Sequence, residues 1–189
     1  MRLGLLFCIC FLLFPFFSFA HGVHGNGILA GFTHPIFGLD HAVAIFGTGI
    51  LGFMVYKNKW FYVFLAFLVP MVIGGVLGIG QEATFLIEKV IAFSVFALGI
   101  MILMNQKLPL SLVLLLLAAF GFFHGYAHGA EMPDMSMYIY IIGFAMGTFL
   151  LGVIGMLCAR HLFNDEKIKG INYLPAGLLL GAGFMILLG

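Results

Sequence analysis

The stretch PLSLVLLLLAAFGFFHGYAHGA, residues 109–130, carries no Asp, Glu, Lys or Arg and is long enough to cross a membrane as one helix. A spanning helix needs about 20 apolar residues, and open sheets cannot satisfy their backbone groups in lipid. Comparable stretches recur along the chain, at residues 28–55, 60–80, 84–104, 136–159 and 171–188. We therefore predict an all-α fold, a polytopic membrane bundle of six transmembrane helices in one domain.

The composition agrees with a lipid environment. Mean hydropathy is +1.21, 63% of the residues are hydrophobic and only 8% are charged, which lies outside the range of soluble domains. The formal net charge is +1, and no basic stripe is present to neutralise phosphates. These features exclude a nucleic-acid partner and make the lipid bilayer the expected surrounding, while homo-oligomerisation stays open.

The first twenty residues have the pattern of a secretory signal peptide. A short basic start precedes an apolar run from Leu3 to Phe17, and the small residues Ser18 and Ala20 form a cleavage site. We predict cleavage after Ala20, so that His21 becomes the N-terminus and residues 21–189 form the transmembrane domain. The alternative is an uncleaved first helix, but the apolar run is shorter than the roughly 20 residues needed to span.

Basic residues fall mainly in alternate loops of the predicted bundle. Because cytoplasmic loops carry an excess of lysine and arginine, these loops should face the cytoplasm; they contain Lys57, Lys59, Lys107, Arg160, Lys167 and Lys169. Lys89 alone lies on the opposite side. A translocated N-terminus, which leader cleavage requires, gives the same orientation. We expect a multi-pass protein of a bacterial inner membrane with both termini in the periplasm.

The first predicted span contains the sequence HPIFGLDH, residues 34–41. In a continuous helix that advances about 100° per residue, His34 and His41 fall within about 20° of each other, so both imidazoles should point into the bundle. Asp40 is either a third ligand or an acceptor that orients a histidine ring. The sequence leaves both roles open.

The fourth predicted span ends in a second polar cluster, FHGYAHGAE, residues 123–131. His124 and His128 are four residues apart, and Glu131 is seven residues from His124. All three side chains share one face if the helix continues through Gly129. The pattern predicts a compact set of two nitrogen ligands and one oxygen ligand near a membrane surface.

The predicted topology places both clusters at the same depth, in the outer half of the bundle. An ionisable side chain near the bilayer centre costs about 2.5–3.5 kcal/mol on insertion scales, so several together indicate a compensating partner. Imidazole with carboxylate suits nickel, cobalt, zinc or copper(II), and the lack of clustered cysteines argues against copper(I). We predict a transition-metal site formed by His34, Asp40, His41, His124, His128 and Glu131. His21 and His24, on the freed N-terminus, are expected to capture the incoming ion.

The two motifs together, His34-x5-Asp40-His41 and FHGxAHGxE, resemble those of the HupE/UreJ family of nickel and cobalt permeases. The resemblance implies secondary transport of nickel or cobalt from periplasm to cytoplasm without a prosthetic group, and indirect supply of a nickel enzyme such as hydrogenase or urease. It also implies that the six motif residues named above are functional. Many family members carry a methionine shortly after the Asp-His pair, where this chain has Ile45 or Phe46.

Two other functions are compatible with these residues. An intramembrane zinc hydrolase would hold Zn²⁺ with three histidines and activate a water, although Ser94, Ser111 and Ser136 are expected to lie outside both clusters. A membrane metal sensor or accessory subunit would bind the ion without moving it. We expect transport rather than catalysis.

Overall fold

The computed structural model describes residues 27–104, 107–132, 135–162 and 173–188. Within these ranges all regular secondary structure is helical, without strands, which confirms the predicted all-α class. The helices are α1 Ile28–Phe37, α2 Leu39–Tyr56, α3 Trp60–Gly78, α4 Phe85–Met104, α5 Leu110–Ala130, α6 Met137–Leu162 and α7 Tyr173–Leu188. The predicted leader, His21 and His24 lie outside the described residues.

Four helical stretches are long and apolar enough to cross a membrane. They are Asp40–Gly78, Phe85–Met104, Leu110–Ala130 and Met137–His161. The first of them contains a short 3-10 turn, Lys57–Lys59, that separates α2 from α3. The apolar helices α1 and α7 are shorter. The chain is therefore a helical membrane protein.

The first predicted span is not one helix. The prediction of a continuous helix over residues 28–55 is wrong, because the backbone at Gly38 is extended, with φ −76° and ψ 110°, and divides α1 from α2. Pro35, inside α1, has no N–H to donate to the carbonyl one turn earlier, which weakens the helix just before the break. His34 and His41 therefore lie on two separate helices and do not share one helical face.

The helix α2 forms the centre of the bundle. All of residues 41–52 are buried, and α2 packs against α1, α3, α4, α6 and α7. Around it the outward-facing positions are large hydrophobic side chains, such as Leu77, Leu115 and Phe184. This distribution suits a helix surrounded by other helices in a bundle whose outer surface faces lipid. It also carries the start of α2, with His41, into the interior.

The helices α3 and α5 pack most extensively, through a seam of glycines. A Cβ atom at Gly74 would collide with the carbonyl oxygen of Phe122, and one at Gly125 would collide with that of Met71. Because only glycine allows such close backbone approach, this seam fixes the position of α5 and of the histidines it carries. Gly78 lies on the same seam, where a Cβ atom would collide with the carbonyl oxygen of Tyr126, whereas Gly177 and Gly181 on α7 meet no atom within 4 Å.

A single lysine ties α4 to the end of α7. Lys89 Nζ donates a hydrogen bond of 3.0 Å to the carbonyl oxygen of Leu187, and it lies 5.2 Å from the ring centroid of Phe85. We expect Lys89→Met to lower the free energy of unfolding by about 1 kcal/mol, because the carbonyl loses its donor. Thermal unfolding of the purified protein in detergent checks this. Lys89→Arg, which keeps a donor, should behave like the wild type, and equal destabilisation by both variants would contradict the prediction.

Candidate metal centre

The two histidine clusters of the sequence meet in the interior of the bundle. The ring centroid of His128 lies 4.6 Å from that of His34 and 3.8 Å from that of His41. The rings of His41 and His124 are 4.7 Å apart. The four imidazoles therefore form a continuous row in the order His34, His128, His41, His124, contributed by α1, α5, α2 and α5.

The outer end of this row contains a carboxylate. Glu131 caps α5, so the helix continues through Gly129. This continuation is the condition for His124, His128 and Glu131 to share one face. Glu131 Oε2 lies 3.4 Å from His34 Nε2, and one ligand atom each from His34, His128 and Glu131 lie within 4.8 Å of one another. The hydrogen bond from His34 holds the pKa of the Glu131 carboxyl below its ordinary value, although partial burial opposes this shift. We call these three residues the outer group.

Asp40 orients the ring of His41. Its Oδ1 atom lies 2.7 Å from His41 Nδ1 and also accepts a bond of 2.9 Å from the backbone N–H of His41. Because an ionised carboxylate only accepts hydrogen bonds, the proton of the neutral imidazole is on Nδ1. The lone pair is then on Nε2, which is buried and has no hydrogen-bond partner among the described residues.

Ser94, on α4, likewise orients the ring of His124. Its Oγ atom donates to the carbonyl oxygen of Ile91 over 2.6 Å and lies 2.8 Å from His124 Nε2. Since a hydroxyl has one proton to donate, it accepts from His124 Nε2–H, and the lone pair of His124 is on Nδ1. The expectation that Ser94 lies outside both clusters is wrong. Nothing in the sequence marks it, because it is a lone serine in an apolar helix 30 residues before His124.

The ring of His128 has no hydrogen-bond partner at either nitrogen within the described chain. Aromatic rings enclose it on one side, with the centroid of Phe144 at 4.8 Å. Tyr140 stacks on Phe144, and its hydroxyl donates to the backbone carbonyl of His128 over 3.4 Å rather than to the ring. Buried polar atoms normally have partners, so this cluster of unpaired ring nitrogens requires an explanation.

The chain is similar in sequence to known proteins over most of its length. The family model described as HupE / UreJ protein matches residues 9–186. The chain belongs to the HupE/UreJ family. "Protein HupE" from Rhizobium leguminosarum bv. viciae is 33% identical to it over 177 residues, which cover 93% of this chain and 92% of that relative. No solved structure shows a significant match.

The site of this HupE/UreJ protein combines the donor types that bind borderline transition metals. Neutral imidazole nitrogens and carboxylate oxygens suit nickel, cobalt, zinc and copper(II). Of the six residues predicted from the sequence, the structure brings His34, His128 and Glu131 together as one group and His41 and His124 beside it. Asp40 is joined to the row through the ring of His41.

Proposed function

We propose that this protein imports a divalent transition-metal ion, nickel with cobalt as the second substrate, from the periplasm to the cytoplasm. The observation that carries the proposal is the row of four imidazoles, flanked by two carboxylates, inside an apolar bundle. Three of these rings are buried and present nitrogens without a hydrogen-bond partner in the part of the chain that the structure describes. A cation that binds these nitrogens would offset the cost of burying them.

We propose six transmembrane spans, with α1 and α2 together forming the first and α3 to α7 the others. The leader of residues 1–20 would be removed, and both termini would face the periplasm of a bacterial inner membrane. The four long apolar stretches support this topology, as do the basic residues on alternate loops. In this orientation, Glu131 faces the periplasm and His21 and His24 would deliver the ion to it.

The ion would be held by His34, Asp40, His41, His124, His128 and Glu131, either directly or, for Asp40, through the His41 ring. Nickel is favoured over harder ions because the donors are mainly imidazole nitrogens, whereas magnesium and calcium require more oxygen ligands. The chain resembles "Protein HupE" over nearly its whole length. Its transported nickel would serve an enzyme such as hydrogenase or urease.

The hydrolase alternative gains a serine beside a histidine, but not in the arrangement of a nucleophile. An activated serine passes its proton to the histidine, whereas Ser94 donates to the Ile91 carbonyl and accepts from His124. The geometry therefore favours an orienting role for Ser94. A sensor or accessory function predicts binding of the ion without uptake, which the following experiment distinguishes.

The test is uptake of radioactive nickel and cobalt at submicromolar concentration by cells that lack their own carriers. We expect cells producing this chain to accumulate the ion and cells producing His41→Ala to accumulate none, because the variant removes the imidazole that contacts both His128 and His124. His161→Ala, at the exposed end of α6, is the matched control and should transport normally. Normal uptake by His41→Ala, or no uptake of either ion by correctly inserted wild type, would overturn the proposal.

A further inference from the structure

We propose that the ion occupies two alternative positions in this protein. One is the outer group, and the other is an inner position formed by the rings of His41, His124 and His128, with Ser94 as the residue that positions His124. The two positions share His128. This inference deepens the proposed function, since it concerns the path of the same ion through the same row of histidines.

In the inner position, His41 and His124 each use one ring nitrogen for a hydrogen bond to a protein partner and leave the lone pair on the other nitrogen. Asp40 leaves the lone pair of His41 on Nε2, and Ser94 leaves the lone pair of His124 on Nδ1. Both atoms are buried and without a hydrogen-bond partner in the described chain. A ring whose other nitrogen donates its N–H to an oxygen acceptor, often a carboxylate, is the usual arrangement of a metal-binding histidine.

The burial of the side chains separates the two positions. The Glu131 side chain is 57% exposed and that of His34 is 25% exposed. His128 and His124 are 1% and 0% exposed, and His41 is 5% exposed. The outer group is thus open to solvent on one side, whereas the inner rings are enclosed. An ion that moves inward along the row exchanges one carboxylate and one imidazole for two imidazoles.

His128 is the ligand common to both positions. It lies between the rings of His34 and His41, and neither of its nitrogens has a protein partner among the described residues. A neutral imidazole has one lone pair, so the two positions cannot both use His128 at the same time. We therefore expect one ion per chain, in either the outer or the inner position.

The experiment uses purified full-length protein in detergent with Co²⁺ as the probe. Cobalt's visible absorption reports that it is bound, and X-ray absorption counts the imidazoles around it. Glu131→Gln removes the outer carboxylate, and Ser94→Ala removes the hydroxyl that positions His124. Ser94→Thr keeps the hydroxyl. Thr48→Val is the control for loss of a buried hydroxyl, because Thr48 donates only within α2, to the carbonyl of Ala44.

We expect Glu131→Gln to bind one cobalt with three imidazoles. Ser94→Ala should bind one cobalt with two imidazoles and a carboxylate, because loss of an orienting partner weakens a metal site about 10–100-fold. Ser94→Thr and Thr48→Val should match the wild type, and thermal unfolding should show that Ser94→Ala is folded. Equal numbers of imidazole ligands in Glu131→Gln and Ser94→Ala would refute the proposal of two positions. Loss of all cobalt binding in Glu131→Gln would refute it as well.

The same proteins, reconstituted in vesicles and supplied with nickel, separate this inference from the proposed function. Two distinct cobalt environments without nickel transport by the wild type would refute the permease and leave the inner position standing. Transport by the wild type together with wild-type cobalt binding by Ser94→Ala would support the permease and refute the role of Ser94.

Discussion

Replacement of His128 by alanine should abolish nickel uptake while the protein still inserts and folds. His128 is the only histidine in the row whose ring contacts both His34 and His41. Its removal breaks the row in the middle, because no other imidazole among the described residues joins His34 to His41. Loss of the ring also removes one donor from the outer group and leaves His34 and Glu131 with too few ligands to hold an ion.

The measurement is initial uptake of radioactive nickel, normalised to the amount of protein in the membrane. His128→Gln serves as the matched variant, since it keeps a polar side chain of similar size but lacks an imidazole; its uptake should also fall to background. His161→Ala should retain full uptake. Uptake above background in His128→Ala, with protein present at wild-type levels, would refute the arrangement of donors given above.

Replacement of Gly125 by alanine should prevent stable folding. The added Cβ would collide with the carbonyl group of Met71, which belongs to the backbone of α3 and cannot rotate away. Forcing an atom into a closely packed interface costs about 1–3 kcal/mol and sometimes more. We expect a cost at the upper end of this range, because the collision is with backbone atoms and neither helix can shift locally. The α3–α5 seam would open, and His124 and His128 would be displaced with α5.

Folding is followed by the monodisperse fraction in detergent and by the midpoint of thermal unfolding. Gly177→Ala is the matched control, because a Cβ at this position of α7 meets no atom within 4 Å. We expect the control to equal or slightly exceed the wild type, since alanine favours a helix over glycine by up to about 1 kcal/mol. A folded Gly125→Ala protein with a wild-type midpoint would show that the seam is less tight than described.

The sequence predicted the helical class, because long uncharged apolar runs have few other stable structures in lipid. It also predicted the two motifs whose residues meet in the row. The division at Gly38 was missed, although Pro35 is a signal for a weakened helix. Both α1 and α2 pack against α6, and no local rule gives that contact.

Ser94 and the order of the four rings could not be predicted. Ser94 has an ordinary place in an apolar helix, and its importance comes only from the packing of α4 near α5, which brings it to His124. The order His34, His128, His41, His124 likewise alternates between helices. Periodicity shows which side chains share a face of one helix, but it does not show how faces of different helices interleave.

The break at Gly38 has an electrostatic consequence for a protein that handles cations. Since α2 begins inside the bundle, its first turn places the positive end of a helix dipole, about half a unit charge, beside the ring of His41. That partial charge repels a metal ion. Asp40 lies in the same first turn, and its carboxylate offsets this charge. The residue that orients His41 therefore also makes the interrupted helix compatible with a positively charged cargo.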